Sequence, residues 1–396
     1  LSPSPSMGVT TAVMGNCGFG IAPCPKKHQE IMLKNLSVVE GMNLNTLLEG
    51  TQWKFESFPD YLNFIDEQRP HPNVAVLIGH SAIRTAVMGE ESSTRVIPTQ
   101  EELNTMRGIV DEALTSGAIG FASSFSPNHS GFGGRPMPST IAEDAELYAL
   151  LEPIKQRKGV FVTAGGGRAT PEYLEHVSKT FDCPTFLVSV LAMYNDSDPT
   201  ASSSYYERCG YALDRGHEVY IHANPHPLSF DFTLRNPYIF YAHEAFTSVK
   251  MAAAEDLKAI YKSRTFREQF AKDLTENHVG VIFSGAWDKI ELNEIPITEI
   301  AKSANMNPLD WIFDQDLDTQ FVGKMYQNND EGVAKLLTHQ NAIMALSDAG
   351  AHVEFLCDAG FGLFFMRHWA LDTGTFTLSR AIQKLTSDQA AKYRIK

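Results

Sequence analysis

Two short segments place reactive residue types directly after apolar runs. The first is GNCGFGIAPC, residues 15–24, in which Cys17 stands between Asn16 and Gly18 straight after the apolar run VTTAVM. Glycines there allow tight backbone turns that other residues resist. A thiol so placed can be a metal ligand when ionised, a nucleophile, or a buried apolar group. The second is LSDAGAHVEFLCD, residues 346–358, where Asp348 closes an apolar run and His352 follows four residues on. A lone carboxylate at such a position is costly to desolvate unless it is paired or holds a cation. It can ligate a metal and act as general base toward a bound water, or it can cap the next turn.

Three further segments offer groups for a substrate. In YIHANPHP, His222 falls near a strand end and His226 in the loop after it. Pro225 and Pro227 exclude a helix, so the two imidazoles do not share a helix face; His226 reads as a substrate-facing loop residue or plain surface. IGH at residues 78–80 adds His80, followed by Arg84, and the Gly- and Pro-rich GFGGRPMPS adds Arg135. Either arginine could grip a carboxylate with two parallel hydrogen bonds. His352 could reach the same cleft as Asp348.

These residues need a scaffold that gathers strand ends. Seven apolar runs read as strands: Val9–Met14, Val74–His80, Ala118–Ser124, Val160–Ala164, Thr185–Leu191, Glu218–Ala223 and Ala342–Asp348. Helical segments separate most of them, as in EELNTMRGIVDEALTSG and in TIAEDAELYALLEPIKQRKG, where Thr140 and Glu143 have capping-box spacing. Continuous apolar strands alternating with helices mean a parallel sheet covered on both faces. Cys17, His80, Ser123, Thr163, Ser189, His222 and Asp348 fall at or near strand C-termini, the edge where a (β/α)₈ barrel collects side chains from different strands. A doubly wound open sheet is the alternative, but no glycine-rich phosphate loop opens one. Closure of a barrel wants one strand more than is visible, and the missing one is most simply the first. The whole chain, 1–396, reads as one barrel domain, with a helical lid or side insertion at about 228–335.

The 396 residues are 20% charged and 43% hydrophobic, a composition of ordered globular protein. A net charge of −14 argues against a general nucleic-acid surface. No run approaches the length of apolar sequence that spans a membrane. Five scattered cysteines do not form a disulfide framework, which points to a reducing, cytoplasmic setting. The chain opens on Leu1 with loop-like sequence and no signal-peptide pattern. Both ends read as cuts through a larger protein.

GVTTAVMGNCGFGIAPC, GHSAIRTAVMG, SGAIGFASS and LSDAGAHVEFLCDAGF together resemble the N-acyl-D-amino-acid deacylase (D-aminoacylase-like) branch of the amidohydrolase superfamily. The resemblance implies a metal-dependent hydrolase of N-acyl amino acids or related amides on a distorted (β/α)₈ barrel with a small β-sandwich. It implies that Cys17 is a metal ligand and that Asp348 activates water and protonates the leaving amine. The family's first strand, with its His-x-His pair, would precede Leu1, and the barrel is expected to lack that strand and most of the β-sandwich. Two departures stand out: the fifth and sixth family strands end in metal-binding histidines, where this chain has Ala164 or its neighbour and Ser189 or Val190. Zinc normally takes about four ligands including water, so the implied divalent metal, zinc first, would need a substitute such as His222 beside Cys17 and Asp348.

Three functions compete. One is a hydrolase with a rearranged metal site acting on a small substrate that bears a carboxylate. A second is a non-catalytic or truncated relative that at most binds a small carboxylate. A third is a cysteine-nucleophile hydrolase using Cys17 with His80 or His222. Unpaired sheet edges would make a homo-oligomer or a complementing chain plausible partners; neither nucleic acid nor membrane is implied.

Overall fold

The computed structural model describes residues 3–395 except 197, 277–280, 352–355 and 357. His352 and Cys357 therefore lie outside the described residues.

Seven parallel strands make the main sheet: β1 (Thr11–Met14), β2 (Asn73–Gly79), β3 (Gly120–Ser124), β4 (Val160–Ala164), β5 (Thr185–Val188), β6 (Val219–Ala223) and, last in the order, β11 (Ala342–Met344). They pair in sequence order, β1-β2-β3-β4-β5-β6-β11. The sheet is curled and open, a barrel of the TIM type short of a strand. Several strands are shorter than the apolar runs suggest. β5 stops at Val188 and β11 at Met344, leaving Ser189 and Asp348 in the segments that follow.

Alternation explains the two-sided burial. Val76, Ile78, Phe121, Phe161, Leu187, Ile221 and Met344 face outward into the large core shared with the helices, where Met106, Val110, Leu150, Leu174 and Val177 meet them. Leu77, Ala122, Val160, Val162, Phe186, Tyr220 and Ile343 face inward. Both sets are apolar because helices cover one face and the curl of the sheet closes over the other.

The helices begin where their caps dictate. Thr99 and Glu102 form a reciprocal capping box at the start of Gln100–Thr115, and Ser57 with Asp60 does the same for Phe58–Gln68. Thr140 is not a cap: Pro138–Ile141 is a short 3₁₀ turn, and the following helix, Asp144–Arg157, starts after Glu143.

The long excursion between β6 and β11 is not purely helical. It contains β7 (Leu228–Phe232), β8 (Ile290–Leu292), β9 (Ile295–Pro296) and β10 (Phe321–Tyr326), an antiparallel sheet of order β7-β10-β8-β9. This sheet and the helices around it bury a separate aromatic core containing Phe230, Phe240, Phe246, Phe270, Phe283 and Phe313.

The inward face of the main sheet is filled from the far end of the chain. Tyr393 stacks on Phe186 with ring centroids 4.2 Å apart and planes at 6°. Its hydroxyl meets Nε2 of His222 at 2.7 Å. Arg394 holds the same segment in place through the carbonyl of Lys158 and the carboxylate of Glu218. Truncation of a buried aromatic costs about 3–5 kcal/mol, whereas loss of one hydrogen bond costs about 1 kcal/mol. Tyr393→Ala is therefore expected to lower the urea midpoint several times more than Tyr393→Phe does.

Candidate active-site cleft

The turn that carries Cys17 is fixed by two glycines. Gly15 (φ +91°) and Gly18 (φ +77°) both adopt left-handed backbone. A Cβ on Gly15 would stand 2.6 Å from the carbonyl oxygen of Leu77, and one on Gly18 would stand 2.5 Å from that of Ala122. The turn thus lies flat against β2 and β3, closed by a bond from Gly18 N–H to Gly15 O of 3.1 Å. Gly18 O accepts from Ser81 N–H at 3.0 Å, which docks the turn on the helix His80–Met88. The result is a cysteine presented at the mouth of the sheet, with Asn16 Nδ2 3.7 Å from its sulfur.

Asp348 arrives from the opposite end of the strand order. It follows β11 in a left-handed conformation, φ +43°, which Asp tolerates better than most residues. A bond of 2.8 Å from Asp358 N–H to Ser347 O folds the loop back and sets the two carboxylates near one another.

Cys17, His222, Asp348 and Asp358 line one cleft, together with Ser126, Asn128, His129, Ser189, Asn224 and Tyr238. Leu228, Phe230 and Ile282 from the inserted sheet region form its apolar wall. Its volume is about 120 Å³. No lysine or arginine is among the described residues that line it.

The electrostatics follow from that lining. Asp348 opens on the cleft but is ringed by protein atoms. Burial, with the charge of Asp358 added, pushes its pKa up to about 7. Burial also raises Asp358, against the pull of His226, whose Nε2 is 3.3 Å from the carboxylate. Glu40, at the C-terminal end of the helix Gln29–Val39, is pushed up to about 8 by burial and by Asp348. The thiol of Cys17 is raised well above its ordinary value by burial and by Asp348 and Glu40. His222 is pulled down to about 3 by burial, so its ring is neutral. Its Nδ1 has no hydrogen-bond partner, although the ring is only 5% exposed. Asn224 Oδ1 is likewise unpartnered in a side chain 5% exposed.

The substrate-facing expectations for His80 and Arg84 are corrected. Both sit in the first turns of a helix and are fully buried. His80 Nδ1 meets Ser123 Oγ at 2.9 Å and its Nε2 meets Glu146 Oε1 at 2.7 Å. Arg84 pairs with the other oxygen of Glu146 and donates to the carbonyl of Arg95 at 2.7 Å. Burial alone would raise the Glu146 carboxyl, but His80 and Arg84 hold it below its usual range. The connectivity Ser123–His80–Glu146 mimics a nucleophile triad, yet Ser123 and His80 are fully buried and do not line the cleft. Arg135 is also corrected: it is exposed on the loop near Phe132–Gly134 and does not line the cleft. His226 stands beside the cleft through Asp358 rather than lining it.

The sequence reading missed Glu40 and Asn224. A signal for Glu40 existed: an acid at a helix C-terminus opposes the macrodipole, and this one follows Val38 and Val39.

Among the described residues, no three His, Cys, Asp or Glu side chains converge in a way that could hold a metal ion. Ala164 and Ser189 stand on the cleft wall at the ends of β4 and β5. Cys17, Asp348 and His222 share the cleft with Asp358 and His129, and among the described residues these donors do not converge as a metal centre requires.

No family model matches the chain. D-Aminoacylase from Alcaligenes xylosoxydans xylosoxydans is 32% identical over 164 residues, covering 41% of this chain and 29% of the relative. N-Acyl-D-aspartate deacylase from the same organism is 31% identical over 158 residues, 40% of this chain and 27% of the relative. The chain is homologous to the D-aminoacylase branch of the amidohydrolase superfamily. The matched stretch spans less than a third of the length of these homologues. The structure of N-acyl-D-glutamate deacylase from Bordetella bronchiseptica, complexed with zinc and a phosphonate inhibitor that mimics the tetrahedral intermediate, superposes with a TM-score of 0.63 at 20% identity. A crystal structure of D-aminoacylase gives a TM-score of 0.63 at 20% identity, and each superposition covers 99% of this chain and 70% of the D-aminoacylase-branch structure. These two structures share its fold.

Two stability effects follow. Glu146→Gln leaves Arg84 buried without its counter-charge, and breaking such a pair costs about 3–5 kcal/mol, which urea unfolding at pH 7 should show. Asp348 and Glu40 act in the opposite sense. Their folded pKa values are raised, so the folded state keeps protons that the unfolded chain releases above about pH 4, and stability falls as pH rises from about 4 to about 7 for Asp348 and to about 8 for Glu40, then levels off. Asp348→Asn and Glu40→Gln should therefore raise the melting temperature at pH 8.5, by about 1 °C for each kcal/mol relieved, and change it little at pH 4.

Proposed function

We propose that the cleft hydrolyses the amide bond of a small N-acylated amine or amino acid, with Asp348 handling the proton. One observation carries this reading: a carboxyl group at the mouth of strand C-termini, in a cleft of molecular size, held at a pKa of about 7. A group tuned to that range can take a proton from water and return it to a leaving nitrogen at neutral pH. The homology of the chain to amide hydrolases supports the same reaction class.

The other cleft residues divide the remaining work. Asp348 takes the proton of a water as the water's oxygen attacks the acyl carbon, then gives it to the departing nitrogen. Ser126 and Ser189 carry hydroxyl donors on the cleft wall for the oxyanion. The hydroxyl oxygen of Ser189 accepts from Leu191 N–H at 3.1 Å, which leaves its own hydrogen to donate. Cys17 acts as a thiol rather than as a nucleophile, because burial and two carboxylates keep it protonated. A divalent metal, the cofactor that the homology suggests, supplies a Lewis acid and an activated water in enzymes that hold one; no step is assigned to it in this cleft.

A second reading, a relative that binds but does not turn over, is supported by Ala164 and Ser189, which stand on the cleft wall where the resemblance implies metal-binding histidines. Turnover separates the two. The chain should hydrolyse small acetylated amides with a rate that rises as pH passes about 7, since Asp348 acts ionised. Asp348→Asn should lower kcat by at least ~100-fold with its fold intact. No hydrolysis by the wild-type chain, before or after incubation with zinc, would leave the binding reading.

A further inference from the structure

We propose that Arg168, at the end of the segment GGGR that follows β4, forms a second binding site: a guanidinium fork for a small carboxylate, on the rim of the sheet and outside the lining of the cleft. The inference stands apart from the amide-hydrolase reading and uses none of the titrating groups of the cleft.

Its support is an arginine whose paired donors hold nothing. Nη1 of Arg168 donates to the carbonyl of Ala142 at 2.8 Å. Nε and Nη2, which together make the side-on fork of the guanidinium, are buried and have no hydrogen-bond partner among the described residues. Buried donors are nearly always satisfied in a folded protein, because leaving one unmade is costly. Other arginines of this chain show what such a fork takes. Arg157, Arg208, Arg215 and Arg235 each turn Nε and Nη2 onto the two oxygens of one carboxylate, those of Asp111, Glu172, Glu175 and Asp318. That is the planar, bidentate match of guanidinium to carboxylate. Arg168 has the same fork and no carboxylate in it. Asp144 does not fill the place: its Oδ1 is 3.6 Å from Nη1, the arm outside the fork, and accepts the hydroxyl of Tyr173 at 2.6 Å.

The surroundings hold the fork ready. The guanidinium carbon lies 3.8 Å from the centroid of the Phe125 ring, a contact that steadies the charge without engaging its N–H groups. Gly166 presses the loop onto the same residue, since a Cβ there would stand 2.0 Å from the Phe125 carbonyl oxygen. The Arg168 side chain as a whole is 30% exposed, and Gly167 beside it is exposed. An anion therefore enters from solvent, and the run of glycines gives the rim the freedom to admit it. A single fork with Asp144 close by favours one negative charge over two. The ligand is accordingly a monocarboxylate. It is either a free acid or the acid group of a molecule that also reaches the cleft, whose wall includes Gly165 of the same segment.

The test follows the Nε–H signal of Arg168 by ¹⁵N NMR on the full chain at constant ionic strength, assigned by comparison with Arg168→Lys. The probes are acetate, inorganic phosphate, N-acetylglycine and N-acetylglycinamide. Acetate is expected to move that signal saturably, with an affinity of about 1 mM, the scale of one charge-assisted contact, and to leave the signals of the four filled forks in place. Arg168→Lys keeps the charge and loses the fork, so its affinity for acetate, read by calorimetry, should fall at least about tenfold. Asp144→Asn, a second variant that leaves the fork whole, should bind acetate more tightly than the wild type because a like charge is removed. N-Acetylglycine bound at least about tenfold tighter than acetate would show that the fork serves a ligand of the cleft, and equal binding would show a site for a free acid; both sustain the proposal. It is overturned by the absence of a saturable shift with acetate, by unchanged affinity in Arg168→Lys, by phosphate binding more tightly than acetate, or by N-acetylglycinamide moving the Arg168 signal as N-acetylglycine does.

Discussion

Carboxylates held out of water, with no lysine or arginine among the described residues that line their cleft, are the constraint on which the rest of this structure turns. Asp348 and Asp358 are brought together by a loop that folds back after β11, and Glu40 approaches Asp348 from a helix end. Each such group is costly to desolvate in its ionised form. Their proton affinities rise in consequence, and Asp348 comes to rest near neutrality. The same crowding keeps Cys17 protonated. Proteins retain costly arrangements of this kind where function requires them.

The remainder of the fold reads as support for that arrangement. The curled sheet is packed on both faces, so its strand ends are rigid platforms. Two obligatory glycines press the Cys17 turn against β2 and β3. Tyr393 fills the inner face of the sheet and bonds Nε2 of His222, leaving Nδ1 of that ring without a partner. The ion pair of Arg84 and Glu146 ties the helix after β2 to the helix before β4, at a distance from the cleft. The inserted antiparallel sheet rests on its own aromatic core, and Leu228, Phe230 and Ile282 lend that region's apolar side chains to the cleft.

Much of this was legible in the sequence where local pattern decides. Apolar runs such as VFVTA fixed the order of the parallel strands, because covered strands are apolar on both faces. Cys17, His222 and Asp348 could be placed in one cleft from their positions near strand ends. What sequence could not show depends on partners far along the chain. His80 and Arg84 look like cleft residues until Glu146, more than sixty residues away, is seen to hold both. Glu40 looks like a solvated helix end until the turn of Asp348 comes within range of it. The strands of the insertion were hidden because aromatic runs such as LSFDF are short and lie among helical segments. His352 cannot be judged, since it lies outside the described residues.

The central claim is that this cleft holds an aspartate in a desolvated, acid-rich setting. The direct measurement is a ¹³C NMR titration of the Asp348 side chain, assigned by comparison with Asp348→Asn. The account predicts a midpoint near 7. A midpoint at the ordinary aspartate value, about 4, would contradict it, because the carboxylate would then be solvated or already neutralised by a cation that this account does not contain.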